Sequence, residues 1–195
     1  MDAKQAVSRI ELELVESCRV KQQFSRELKM QIAELAEKMA STISGGGTIY
    51  WIGNGGSAAD AQHLAGELVG QLHRARKALR SAALTTNTSL LTSIANDDSY
   101  TEVFARQVEA LVRPGDLLIA LSTSGKSESI LKAVAVANER GAFTVGWTGE
   151  TGTALAKLAK LCLQIPSRNT QRIQEAHITI GHIVCGIVED MLVPE

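Results

Sequence analysis

Residues 116–127 read DLLIALSTSGKS, and the fold turns on them. The apolar run 117–121 has no polar interruption, which fits a strand buried on both faces, as parallel sheets require. The hydroxyl- and glycine-rich segment after it breaks the run and leads into a helical pattern at 127–140. Working outward, TIYWIG at 48–53, SAALTT at 81–86, FTVGWT at 143–148 and LCLQIP at 161–166 read as further strands. Helical periodicity fills 57–71, 102–112 and 152–160, and a last helix is expected over about 171–191. Such alternation predicts an α/β fold, a doubly wound five-stranded parallel sheet with helices on both faces.

Before the first strand, apolar residues recur at helical spacing from about 3 to 43, including Phe24, Leu28, Ile32, Leu35 and Met39, until Gly45, Gly46 and Gly47 end the pattern. This 40-residue leader, with room for one break, carries more apolar face than a small sheet covers. It either wraps its own domain or packs on a second subunit. Residues 1–195 are read as one domain, with 1–45 its helical leader.

The charge balance narrows the partners. Twenty basic and 21 acidic residues nearly cancel, leaving no field that would draw the chain to nucleic acid or an anionic membrane. Small molecules or like subunits are expected instead. Cys18, Cys162 and Cys185 are odd in number and far apart, which fits neither a disulfide framework nor a CxxC metal site. The start MDAKQAVSRIELELVE lacks the apolar stretch of a signal peptide, and LLIAL is too short to cross a bilayer, so a cytoplasmic protein is expected.

Two strand-to-helix loops suit an anion. The first is Gly53-Asn54-Gly55-Gly56-Ser57, after which Ser57 and Asp60 are expected to cap the helix; the second is Ser122-Thr123-Ser124-Gly125-Lys126-Ser127, with four hydroxyls in one turn. In open α/β sheets ligands lie beyond the carboxyl ends of the strands, where backbone N–H groups and helix N-termini face them. Gly53-x-Gly55-x-x-Ala58 imitates a dinucleotide fingerprint, but Thr85, Thr86 and Asn87 stand where its acidic residue should be. A Walker A match at 124–127 would put its first glycine on Ala120, inside the strand, so no nucleotide cofactor is expected.

His63 and Glu67, four residues apart on a helix, share one face, as a metal pair or an acid/base pair requires. Gln174 and His182 sit eight positions apart among buried-looking isoleucines on the last helix. Either histidine alone reads better as a satisfied core or surface residue. Asn96-Asp97 is either a sugar-hydroxyl contact or an Asx turn, and the turn is the simpler reading. Arg74, Arg76, Lys77 and Arg80 form either a phosphate-steering rim or a solvated face, the face being the commoner case.

Taken together, GNGGSAADAQHLAGELVG, LTTNTSLLTSIANDD, VFARQVEALVRPGDLLIALSTSGKS and RIQEAHITIGHIV closely resemble the phosphoheptose isomerases of the SIS family. The resemblance spans residues 48–190 and implies a flavodoxin-like sheet and a homotetramer with active sites at subunit interfaces. It also implies conversion of sedoheptulose 7-phosphate to D-glycero-D-manno-heptose 7-phosphate for cell-envelope heptose, the lipopolysaccharide core. By motif position, Ser122, Thr123, Ser124 and Ser127 resemble the phosphate cradle, and Asn54, Gly55, Gly56, Ser57, Asn96, Asp97 and Gln174 the remaining substrate contacts. Glu67, itself a substrate contact, and His182 resemble the catalytic acid/base pair; His63, Glu67, Gln174 and His182 match zinc-ligand positions.

Two positions depart from the family. Gly70-Gln71-Leu72 lacks the arginine of a GRF-like segment, and Lys126 replaces the asparagine of STSGNS, which leaves room for a related sugar phosphate. A noncatalytic SIS-domain protein that binds a partner such as the replication initiator is the competing reading. It predicts loss of the catalytic side chains, all of which are here.

Overall fold

The structure, a computed structural model, describes residues 1–193. The leader is two helices, α1 (Ala3–Gln22) and α2 (Arg26–Ser44). Asp2 opens α1 with a reciprocal capping box: its carboxylate accepts the Gln5 N–H, and the Gln5 side chain accepts the Asp2 N–H. The expected break falls at residues 23–25, where the Ser25 hydroxyl accepts the Leu28 N–H at 3.0 Å and starts α2. From α2, Leu28, Ile32, Leu35 and Met39 point into the core, as their spacing predicts.

After the leader the chain alternates: β1 (Ile49–Gly53), α3 (Gly56–Val69), β2 (Ser81–Ala83), α4 (Thr88–Asp97), a 3-10 turn (Tyr100–Glu102), α5 (Ala105–Leu111) and β3 (Leu117–Leu121). It continues through α6 (Glu128–Glu139), β4 (Phe143–Gly149), α7 (Thr153–Leu158), β5 (Leu161–Ile165) and α8 (Thr170–Leu192). All strand pairs are parallel and the order is β2-β1-β3-β4-β5, the flavodoxin-like arrangement.

Strand β3 lies at the centre, and all five of its side chains are buried. Leu117, Ile119 and Leu121 meet the layer built from α2, α3 and α8, whereas Leu118 and Ala120 meet the layer that holds Val108 of α5 and Val134 of α6. The period of two along one strand therefore feeds two cores. Trp51 of β1 and Trp147 of β4 meet edge to face, with ring centroids 5.9 Å apart, and both are fully buried. Truncating either would cost about 3–5 kcal/mol through lost burial and a residual cavity.

Sequence expectations shift at several element ends, as at α7, which runs Thr153–Leu158 rather than 152–160. The second strand stops at Ala83, because the Thr85 and Thr86 hydroxyls turn back to the carbonyls of Ala58 and Ala83. The 102–112 helix begins only at Ala105, after the 3-10 turn. Helix α3 ends at Val69, where Gly70 returns its N–H to the Gly66 carbonyl. None of these changes the topology. Strands β1 and β3 are neighbours whose connections leave on opposite sides, so the loops after them flank the crevice where such sheets bind ligands.

Candidate active site

The loop after β1 is shaped by its glycines. Gly55 has φ +55°, open to glycine, and a Cβ on Gly53 would come within 2.5 Å of the Ser57 carbonyl oxygen. A Cβ on Gly56 would strike the Gln174 amide at 2.4 Å, so α8 approaches this loop closely. The expected Ser57–Asp60 cap does not form. Helix α3 starts one residue early, Gly55 takes the cap position without a side-chain bond, and Ser57 and Asp60 are buried in the first turns instead. Within this first turn the Ser57 and Ala58 N–H groups donate to the Asn54 and Gly55 carbonyls, each at 3.0 Å. Asn54 is fixed from two sides: its Nδ2 donates to Ser129 Oγ at 3.1 Å, and its Oδ1 accepts from the Tyr100 hydroxyl at 2.8 Å.

The loop after β3 closes on itself. Gly125 N–H donates to both the Ser122 carbonyl at 2.9 Å and Ser122 Oγ at 3.2 Å, and Ser122 Oγ donates to Ser127 Oγ at 3.4 Å. Gly125 has φ +63°, and a Cβ there would come within 2.4 Å of Gly152. Ser124 and Lys126 face solvent, Thr123 and Ser127 are partly covered, and Ser127 caps α6 without using its hydroxyl there. Four hydroxyls and a lysine thus gather in the turn that leads into α6, groups of the kind that hold an oxyanion.

Asn96 and Asp97 are the last residues of α4, so the Asx-turn reading is replaced by a helix end. Both are exposed, and Asn96 Nδ2 donates to Asp97 Oδ1 at 2.8 Å.

Helices α3 and α8 bring the chemistry-bearing side chains together. His63 Nε2 lies 2.8 Å from His182 Nε2 and 3.0 Å from Glu67 Oε1, and His182 Nε2 lies 3.8 Å from that same oxygen. Two imidazole nitrogens at this distance require one ring to donate and the other to offer its lone pair. The three ligand atoms lie within 4.8 Å of one another, an N,N,O set of the kind that holds zinc with a position left open. Gln174, the fourth candidate ligand, sits on the same helix as His182. Eight helical positions carry it about 12 Å along α8 from His182. There its amide donates to Asp60 Oδ1 at 3.5 Å. Burial raises the Asp60 carboxyl, opposed by that bond and by His63.

The basic cluster after α3 is not a uniform solvated face. Arg74 pairs with Asp190 at 2.8 Å, and the side chain of Arg76, only 3 % exposed, pairs with Glu189 of α8 at 2.7 Å. That pair, the Tyr100–Asn54 contact and the fully buried His177 all escape sequence reading. The one available signal was the seven-residue step from His182 to Glu189, two turns along one helix face.

Residues 15–149 match the family model described as SIS domain. The chain is 50% identical over 183 residues to the phosphoheptose isomerase of Roseiflexus sp., covering 94% of this chain and 93% of that protein. It is 45% identical to the Aquifex aeolicus phosphoheptose isomerase, covering 91% and 93%. Among solved structures, the Neisseria gonorrhoeae phosphoheptose isomerase superposes with a TM-score of 0.89 at 39% identity, covering 95% of this chain and 99% of that one. The Francisella tularensis phosphoheptose isomerase gives 0.91 at 32% identity, covering 95% and 98%.

Proposed function

Because the chain belongs to the SIS-domain family and, within it, to the phosphoheptose isomerases, we propose that it converts sedoheptulose 7-phosphate to D-glycero-D-manno-heptose 7-phosphate for cell-envelope heptose synthesis. The observation that carries this reading is the convergence of His63, Glu67 and His182 from two helices. A ketose-to-aldose interconversion moves a proton between C1 and C2 through an enediol, and needs a base at the carbons and a proton carrier at the oxygens. Glu67 Oε1 is turned to the histidines, leaving Oε2 to take the C1 proton and return it at C2. The His182 ring serves O1 and O2. Ser122, Thr123, Ser124 and Ser127 hold the phosphate, with Asn54, Gly55, Gly56, Ser57, Asn96, Asp97 and Gln174 along the sugar. A zinc ion held by His63, Glu67 and His182 would supply Lewis-acid polarisation of the ketose carbonyl.

A shared site follows from distance. Ten positions of α3 separate Ser57 from Glu67, about 15 Å of helix, so the sugar-binding loop after β1 and the acid/base group of one chain do not close easily on one sugar. This supports a homotetramer whose sites are completed across subunits, in which residues 1–195 form one SIS domain. A noncatalytic, partner-binding role predicts missing catalytic side chains, and here they converge. Among the described residues no helix is long and apolar enough to cross a membrane, in keeping with a cytoplasmic enzyme.

The test is incubation of the protein with sedoheptulose 7-phosphate, with added zinc or with chelator, followed by NMR. We expect heptose phosphate to appear, faster with zinc. A folded protein that turns over another ketose phosphate instead would move the assignment to that sugar and implicate Gln71 and Lys126; turnover of none would overturn the enzymatic reading.

A further inference from the structure

Helix α3 ends two residues beyond Glu67, so the proposed base sits in a final turn whose carbonyls have no partner within the helix. Such a turn frays unless something holds it. Here the holder comes from the loop that follows. Arg76 Nη2 donates to the Glu67 carbonyl at 2.8 Å, and Nη1 donates to the carbonyls of Leu68, Gly70 and Lys77 at 2.8, 3.1 and 3.2 Å. Its Nε donates to Glu189 Oε1 at 2.7 Å. One guanidinium thereby grips the turn that carries Glu67, where a cation also complements the negative end of the helix.

Glu189 ties the same loop to α8. Besides Arg76, it accepts the backbone N–H groups of Leu72, His73 and Arg74 at 3.3, 2.8 and 3.2 Å. Burial alone would raise its carboxyl, but the His73 and Leu72 N–H groups and the Arg76 guanidinium outweigh it and hold it below the usual carboxylate range. It stands seven residues beyond His182, about two helical turns and nearly the same face. One residue before His182, Gly181 lets the helices touch, since a Cβ there would come within 2.4 Å of a Leu64 methyl.

We infer that Arg76 and Glu189 are positioning residues for the reaction: together they lock the last turn of α3 to α8 and so set Glu67 and His63 against His182. The inference rests on the isomerase reading of those three side chains. A lysine at 76 keeps the charge but cannot bond several carbonyls and Glu189 at once. A glutamine at 189 keeps the shape and an acceptor but loses the charge. The phosphate cradle lies in the loop between β3 and α6 and shares no hydrogen bond with this lock, so substrate affinity and turnover should separate.

The test compares Arg76→Lys and Glu189→Gln with the parent in three measurements: steady-state kinetics with sedoheptulose 7-phosphate, circular dichroism melts, and imidazole nitrogen NMR of His63 and His182 without sugar. We expect folded variants with kcat lowered tenfold or more, KM within twofold of the parent, and altered ring-nitrogen signals as the 2.8 Å contact between the rings loosens. Parent-like kcat and imidazole spectra with only a lower melting temperature would overturn the proposal, as would a rise in KM alone. Failure of both variants to fold would do the same, since it would make the pair structural. An inactive parent on this sugar would count against the isomerase reading instead, while the imidazole spectra still decide whether the pair positions the rings.

Discussion

Glu67 offers one carboxylate oxygen to two imidazoles, so substitutions there act on chemistry before they act on folding. Its side chain is 16 % exposed and that of His182 45 %, and neither fills the core. Glu67→Gln and His182→Ala are therefore expected to lower kcat by about two to four orders of magnitude, the usual worth of a proton-transfer group, with melting curves near the parent; near-parent rates in either would remove its assigned role. His177 behaves in the opposite way. Burial pushes its ring from 6.5 down to about 4, beside Trp147. Both of its ring nitrogens lack a hydrogen-bond partner among the described residues. The folded state thus binds fewer protons than the unfolded chain between these values, so stability is full above about pH 6.5 and falls as pH drops toward 4. The loss amounts to about 3 kcal/mol. Urea unfolding across that window should show a steep acid loss that His177→Leu reduces; equal slopes would mean the ring is not the titrating group. At this scale, His63 and Glu67 were legible from their spacing, and His182 from motif. Arg76 was not, because a run of basic residues looks the same whether or not one of them turns inward.

Elements were legible wherever the pattern had one period and blurred where local bonds competed. The five strands and the broken leader follow from apolar spacing, whereas Ser57 reads as a cap in sequence yet is buried inside α3, because Gly55 at φ +55° makes the turn one residue earlier. Asn96 and Asp97 read as a turn for want of any sign that α4 continues to them. The contact of α3 with α8 was illegible, since nothing in either helix names its neighbour, and Gly181 records it only once the backbones are placed. That contact is testable. Gly181→Ala puts a methyl into the buried Leu64 side chain. Overpacking of this kind typically costs about 1–3 kcal/mol, seen as a lower melting temperature. Because the shift separates the helices that carry Glu67 and His182, kcat should fall with it; a variant that is less stable but equally fast would show that the site tolerates a wider helix spacing.

For the whole molecule, strand order and crevice follow from βα alternation, while the proposed assembly would need a surface to bury, and the leader offers one. Helix α1 has Val20 as its one buried residue among those described, and leaves Val7, Ile10 and Leu14 more than half exposed at helical spacing along one face. An apolar stripe of this kind is the surface through which the proposed tetramer would pack. With about 15 Å of α3 between Ser57 of the sugar-binding loop and Glu67, assembly and activity should be linked. Light scattering during size exclusion is expected to give the mass of four chains. Ile10→Glu with Leu14→Glu should give smaller species that keep the α/β circular dichroism spectrum and lose turnover. A double variant that remains tetrameric would place the interface elsewhere than α1. A fully active monomer would show that one chain closes the site alone, and that the separation along α3 is bridged by the substrate rather than by a neighbouring subunit.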